Sequence, residues 1–257
     1  MLSSDNTSNA INAVNLVKPK LPADTQFLLL SATFNEKDLS NIANIGQTFK
    51  EITIEKSQLA LPNIKQYYVS CPKNEKVDKL VEIIQSVPTN KLTIVFVNTC
   101  RFAAAVSSMI KDKLDNALYK TALLIGKNMT FNERDLTIDD LKAGKFNVLI
   151  TTNLLARGYD NSLSTVVINF DYPSIFDKDI PPEQREIDVD VYLHRIGRCG
   201  RFARNGFAFT LITDEEAGNR NIENLQTIYG VPVSKVDDLN ALNQEISAKT
   251  ESEGRLD

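Results

Sequence analysis

From about Asn63 onward, apolar runs of strand length recur with helix-length stretches between them, and this alternation narrows the chain to one kind of architecture. Strands are expected at 64 to 69, 93 to 97, 122 to 125, 148 to 151, 166 to 170 and 207 to 212. The runs are apolar throughout rather than alternating, which is the pattern of strands covered on both faces. Such strands joined by helices make a parallel sheet wound by right-handed crossovers, an α/β fold with helices on both sides. After the first run, Val77, Leu80, Val81 and Ile84 recur at i, i+3, i+4, i+7, a helix with one buried stripe. Thr130 with Glu133 and Thr213 with Glu216 have capping-box spacing, and Gly144 and Gly230 stand where helices stop. Ligands of open α/β sheets bind beyond the carboxyl ends of the strands, so the residues that follow each strand are the place to look for chemistry.

The segment ahead of this rhythm reads differently. Residues 1 to 24 are rich in Ser and Asn without a period, 26 to 30 is an apolar run of strand length, and Ser31-Ala32-Thr33 leads into a short helical stretch with Leu39, Ile42 and Ile45. A short strand at 52 to 54 then runs towards Leu61 and Pro62, where a linker is expected. This is one βα unit without its neighbours, so the organisation is read as a remnant, 1–61, and a complete domain, 62–257. An orphan strand at 27 to 30 exposes an edge and apolar faces, and docks on its own domain, pairs with a second copy as a homodimer, or stays poorly ordered.

Composition removes several function classes. At 42% hydrophobic residues and a net charge of −4, whole-chain disorder is excluded and indiscriminate nucleic-acid binding is disfavoured. No apolar run is long enough for a membrane span and no signal peptide is evident, so no membrane insertion and an intracellular location are expected. Cys71, Cys100 and Cys199 lack CxxC spacing, which argues against a disulfide framework or a zinc site, and with His194 the only histidine a two-histidine metal site is excluded.

Two constellations carry chemistry. After the run 148 to 151, TTNLLARGYD places Thr152, Arg157, Gly158 and Asp160 at the carboxyl edge of the sheet; they offer donors for phosphates and an acceptor for a ribose hydroxyl, or Arg157 and Asp160 simply pair on the surface. In HRIGRCGRFARNG, four of the ten arginines, Arg195, Arg198, Arg201 and Arg204, fall within ten residues with no acid among them. Arginine forks match phosphate oxygens, and Gly197 and Gly200 would let the backbone approach closely. No GxxxxGK[ST] loop and no Asp-Glu-Ala-Asp stretch occur. Phosphate-reading arginines without a phosphate cradle imply a cradle on another domain or chain, the arrangement of an arginine finger. The stretch 174 to 190 is a Pro-interrupted acidic loop.

SATF at 31–34, IVFVNT at 94–99, ARGYD at 156–160 and HRIGRCGR at 194–201 stand in the order of the DEAD-box RNA helicases, which this chain resembles. The resemblance covers about residues 26 to 239 and implies the end of one RecA-like domain followed by the whole second one. The acidic insertion and the FDYP run before it look like the subfamily that remodels messenger RNA at the nuclear pore. The resemblance places Arg198 and Arg201 at the ATP γ-phosphate, His194 against the opposite domain, and Asp160 at the nucleotide ribose. It places Thr152, Gly158, Arg134, Thr99 and Asn98 near the RNA backbone, and Ser31 and Thr33 between nucleotide state and domain closure. Where the family has histidine and glutamine ahead of the QxxR arginine, this chain has Ile125 and the run Thr130, Phe131, Asn132, so Arg134 alternatively pairs on its helix face.

The function implied is the C-terminal half of an ATP-dependent RNA helicase. ATP with Mg²⁺ is the cofactor, its ligands mostly on the missing first domain, and the fragment alone is expected to be inactive. RNA, the first RecA-like domain and nuclear-pore export factors are the partners, with a cytoplasmic and nuclear location that includes the pore. A non-catalytic RNA clamp and a DNA translocase half are the rival readings.

Overall fold

Seven strands hydrogen-bond into one sheet among the residues that the computed structural model describes: 14–30, 50–52, 61, 63–153, 164–175, 178–181, 185–200, 204–213, 215–239 and 244–246. In chain order the elements are β1 (Ile64–Ser70), α1 (Lys76–Gln85), β2 (Leu92–Phe96), α2 (Cys100–Lys113), β3 (Thr121–Leu124), α3 (Phe131–Lys142), β4 (Val148–Thr151), β5 (Ser164–Asn169), α4 (Val189–Ile196), β6 (Gly206–Ile212), α5 (Glu215–Tyr229) and β7 (Val233–Lys235). The spatial order is β3-β4-β2-β5-β6-β1-β7, and every ladder is parallel. The six apolar runs are thus six of the strands. The seventh, β7, is three residues long with one buried, too brief for a periodic signal.

Two apolar layers hold the sheet. Strand side chains alternate between faces, so Ile94 and Phe96 face one layer with Tyr192, Ile196, Ile222 and Leu225, while Val95 and Val97 face the other with Leu80, Ile83, Val106 and Ile110. Phe209 is fully buried and stacks on Tyr67 with ring centroids 5.5 Å apart. Burial of each such side chain contributes about 1.5–3 kcal/mol. None of the helices among the described residues is long and apolar enough to cross a membrane.

The chain divides into two compact units, Met1–Ile54 and Glu55–Asp257. In the first, residues 26 to 30 correct the expectation of a strand: they join no ladder, and Leu28 and Leu30 are 80% and 84% exposed. A strand exists only through its neighbours, and none of the described residues supplies one. The helical stretch around Leu39, Ile42 and Ile45 lies outside the described residues, as do residues 53 and 54 of the short strand, while residue 52 is irregular.

Helix ends follow their local chemistry. Gly144 and Gly230 adopt φ +70° and +61°, as helix-stopping glycines do. The second box is not described, because the side chain of Glu216 lies outside the described residues. The first is complete: the Glu133 carboxylate accepts from the Thr130 backbone N–H at 2.7 Å and its hydroxyl at 2.9 Å, and the Glu133 N–H donates back to Thr130 Oγ1 at 3.2 Å. These bonds hold the Glu133 carboxyl below the usual carboxylate range. A depressed pKa stabilises the fold above the unfolded carboxylate value, near 4.3, and the gain disappears as pH falls through the folded value. We therefore predict that Glu133→Ala lowers the melting temperature at pH 7 and that the difference shrinks as pH drops below about 4. A difference unchanged down to pH 2 would detach the box from this ionisation.

Candidate functional site

β2, β4 and β5 are adjacent, and their registers align Phe96 with both Thr151 and Asn169. Three asparagines therefore close three neighbouring strands at one edge: Asn98, Asn153 and Asn169. Arg195 enters this edge from the last turn of α4. A helical Cβ tilts towards the helix N-terminus, which aims a long side chain there back at the strand ends.

Arg195 is completely buried. Its Nε and Nη2 donate to Asn153 Oδ1 at 2.8 and 2.6 Å, Nη2 also to Asn98 Oδ1 at 2.7 Å, and Nη1 to the Asp171 carbonyl at 2.7 Å and Asn169 Oδ1 at 3.3 Å. The guanidinium carbon lies 5.2 Å from the centroid of the Phe96 ring. Burial pushes the pKa of Arg195 down to about 9, against the pull of Asp171 and Asp188, and the group stays charged at neutral pH.

A second layer of bonds supports the first. Asn98 donates from Nδ2 to the Tyr172 carbonyl at 3.0 Å and from its backbone N–H to Asp171 Oδ2 at 3.2 Å. Asp171 Oδ1 accepts from Lys76 Nζ at 3.0 Å, and that ammonium sits 4.6 Å from the Phe170 ring centroid. Asn169 Nδ2 donates to Thr210 Oγ1 at 3.4 Å, extending the network to β6. At the other end of α4, Asp188 caps the helix by accepting from the Val191 N–H at 3.0 Å, a task for one of the acids in the loop before it.

Arg195 therefore corrects its place in the expected phosphate-reading cluster. Its hydrogen bonds run to asparagine side chains and a carbonyl, and no solvent reaches it. Arg198 is different: it lies beyond the Gly197 cap of α4, is half-buried, and donates from Nε to the His194 carbonyl at 3.2 Å. His194 is half-buried one residue before Arg195. The glycines also take a structural task. Gly200 adopts φ +68°, where a Cβ would lie 2.7 Å from Ile64 Cγ1, and a Cβ on Gly206 would lie 2.6 Å from Gly200 N. The left-handed φ and the Ile64 side chain require glycine at 200, and close packing on the Gly200 backbone requires it at 206. Cys199, just before Gly200, is buried, its thiol pushed up to about 12 by desolvation, and all three cysteines are free thiols.

Among the residues expected near RNA, Asn98 has both ends of its amide committed to the network. Thr99 caps α2, its hydroxyl accepting from the Phe102 N–H at 3.2 Å. Thr152 is buried just past β4, where its carbonyl accepts from the Thr151 hydroxyl at 3.3 Å. Arg134 donates from Nε to the Thr130 carbonyl at 3.4 Å and stacks over the Phe131 ring, 4.4 Å from the centroid, both on its own helix turn. Arg201, Asp160, Gly158, Ser31 and Thr33 lie outside the described residues. Asn153, Asn169, Asp171 and Lys76 were not anticipated. A signal for the first three was present, since each is a polar residue at the end of an apolar run.

The helicase conserved C-terminal domain family matches residues 75–203. The ATP-dependent RNA helicase dbp5 of Aspergillus oryzae is 33% identical over 86% of this chain and 44% of its own length, and DEAD-box ATP-dependent RNA helicase 38 of Arabidopsis thaliana is 32% identical over 90% and 45%. The chain thus spans less than half the length of these relatives. Saccharomyces cerevisiae Dbp5 bound to RNA and ADP BeF3 superposes with a TM-score of 0.76 at 31% identity, covering 90% of this chain and 57% of that one. A structure of the C-terminal domain of Dbp5 alone is matched over 98% of its length, with 72% of this chain, at a TM-score of 0.59 and 32% identity. These likenesses agree with the RecA-like α/β fold expected from the strand pattern.

The two neighbouring arginines should behave differently in unfolding. Arg195→Ala strands several buried amide oxygens and should cost about 3 kcal/mol or more, above the cost of Arg198→Ala at a half-buried position. Urea denaturation of the chain measures both. Equal small losses would contradict the structural role assigned to Arg195.

Proposed function

Since the chain belongs to the helicase C-terminal domain family, in its Dbp5-like DEAD-box branch, we propose that it forms the second RecA-like half of an ATP-dependent RNA helicase. The observation that carries this reading is the pairing of a fully buried Arg195, which fixes the strand ends, with a half-buried Arg198 only three residues on. One arginine builds the edge, and the next stays within reach of solvent, where on this reading a phosphate meets it.

Arg198 suits a phosphate: it is cationic, reachable by solvent, and oriented by its bond to the His194 carbonyl. On this reading the chain contributes cations to the nucleotide, and Mg²⁺ would be held mostly by the opposite half. ATP supplies the phosphoryl group whose transfer drives the cycle. Arg198, with Arg201, would neutralise charge developing on the phosphates, as arginine fingers do across an interface. Asp160 would accept from the ribose, while Thr99, Asn98, Thr152, Gly158 and Arg134 would line the RNA backbone. Ser31 and Thr33 would couple the nucleotide to closure of the two halves.

The cellular reading follows the same relatives. Saccharomyces cerevisiae Dbp5 has been seen with Gle1 and Nup159, which supports export factors as partners and action in messenger-RNA export, in the cytoplasm, the nucleus and at the pore. The exposed Leu28 and Leu30 support pairing of the first unit with a second copy when it lacks other partners.

In the complete enzyme, Arg198→Ala should lower kcat for RNA-stimulated ATP hydrolysis on the order of 10³-fold, with the fold intact by circular dichroism. A steady-state assay at saturating ATP and RNA checks it. Unchanged kcat would remove Arg198 from the reaction.

A further inference from the structure

The first residue of α3 is a phenylalanine with almost nothing packed on it. Phe131 is 77% exposed, although a phenyl ring is the kind of side chain that folding normally takes out of water. It is also firmly held. The Thr130–Glu133 box locks the turn that carries it, and Arg134 lies over its ring with the guanidinium carbon 4.4 Å from the centroid while donating to the Thr130 carbonyl. An exposed ring backed by an arginine on a capped helix turn is a preformed stacking surface.

Its position puts it at the strand edge already read as the RNA side. α3 follows β3, and β3 is hydrogen-bonded to β4 in a register that pairs Leu124 with Thr151. The Thr151 hydroxyl donates to the Leu124 carbonyl at 2.7 Å, tying the two strand ends together. The chain leaving β3 towards Phe131 thus departs from the same edge as Thr152. α3 itself carries Glu133, Asp135, Asp139 and Asp140 against Arg134 and Lys142, so charge alone gives this helix no attraction for a phosphate chain. Stacking does not need that charge, because every base has a π-face and an aromatic–arginine pair can receive it.

We propose that Phe131, backed by Arg134, stacks a nucleobase of single-stranded RNA at this edge, adding a base contact to a site otherwise read as gripping the backbone. The proposal rests on the RNA-binding reading and is separable from it. Stacking of one base on an aromatic side chain corresponds to about a fivefold to hundredfold change in affinity.

Binding of the 257-residue chain to fluorescein-labelled ten-nucleotide strands at low salt, read by anisotropy, tests it. One strand is oligouridylate and the other an abasic ribose-phosphate strand of the same length. The expected result is tighter binding of oligouridylate by that factor, loss of the preference in Phe131→Ala with binding of the abasic strand unchanged, and retention in Phe131→Tyr. Thermal melts of the variants should match the parent, since the ring is in solvent. Equal affinity of the parent for both strands overturns stacking while leaving backbone binding intact. Loss of both strands together in Phe131→Ala overturns it too, as does no effect of Phe131→Ala on either. Absence of binding to either strand overturns the RNA reading itself.

Discussion

A single buried guanidinium organises the working edge of this protein. Arg195 bonds to groups at the ends of β2, β4 and β5, and a charge removed from water in this way is tolerable only because every direction it can donate in is met by an oxygen. Lysine could not replace it, since a point-like ammonium cannot span three strand ends in one plane. The demand also runs outward. Asn98 has to face both Arg195 and Tyr172, Asp171 has to accept from Lys76, and the loops that follow the strands inherit these fixed starting points.

That constraint sets Arg195 apart from its neighbours. With the strand ends pinned by Arg195, Arg198 needs no part in holding them and is left half-buried beyond the helix cap. Gly200 packs against Ile64 at the start of β1 and Gly206 against the Gly200 backbone, at distances that no side chain would permit. A short helix, one buried cation and two close-packed glycines thereby place a second cation within reach of solvent.

The strand order could not be read from the sequence, but the strands could. Continuous apolar runs such as VLIT at 148 to 151 announce burial on both faces, and the structure returns that strand with the same ends. The Thr130 to Glu133 spacing announced a capping box for the same reason, since its bonds span four residues and need nothing remote. The division of labour among the arginines was not legible. Arg195 and Arg198 look equivalent at a spacing of three, and only the distant Asn98, Asn153 and Asn169, brought together by sheet formation, set one apart. The run at 26 to 30 failed as a strand because pairing depends on neighbours that local sequence cannot supply.

The central claim is that this chain works as the second half of a two-part ATP-driven RNA machine, and a chimera tests it most directly. The C-terminal half of Saccharomyces cerevisiae Dbp5 would be replaced by the unit Glu55–Asp257, and ATP hydrolysis measured with and without single-stranded RNA. The account predicts RNA-stimulated turnover that the Dbp5 first half alone does not show. A folded chimera that binds ATP and RNA yet turns over no faster than that first half would contradict it.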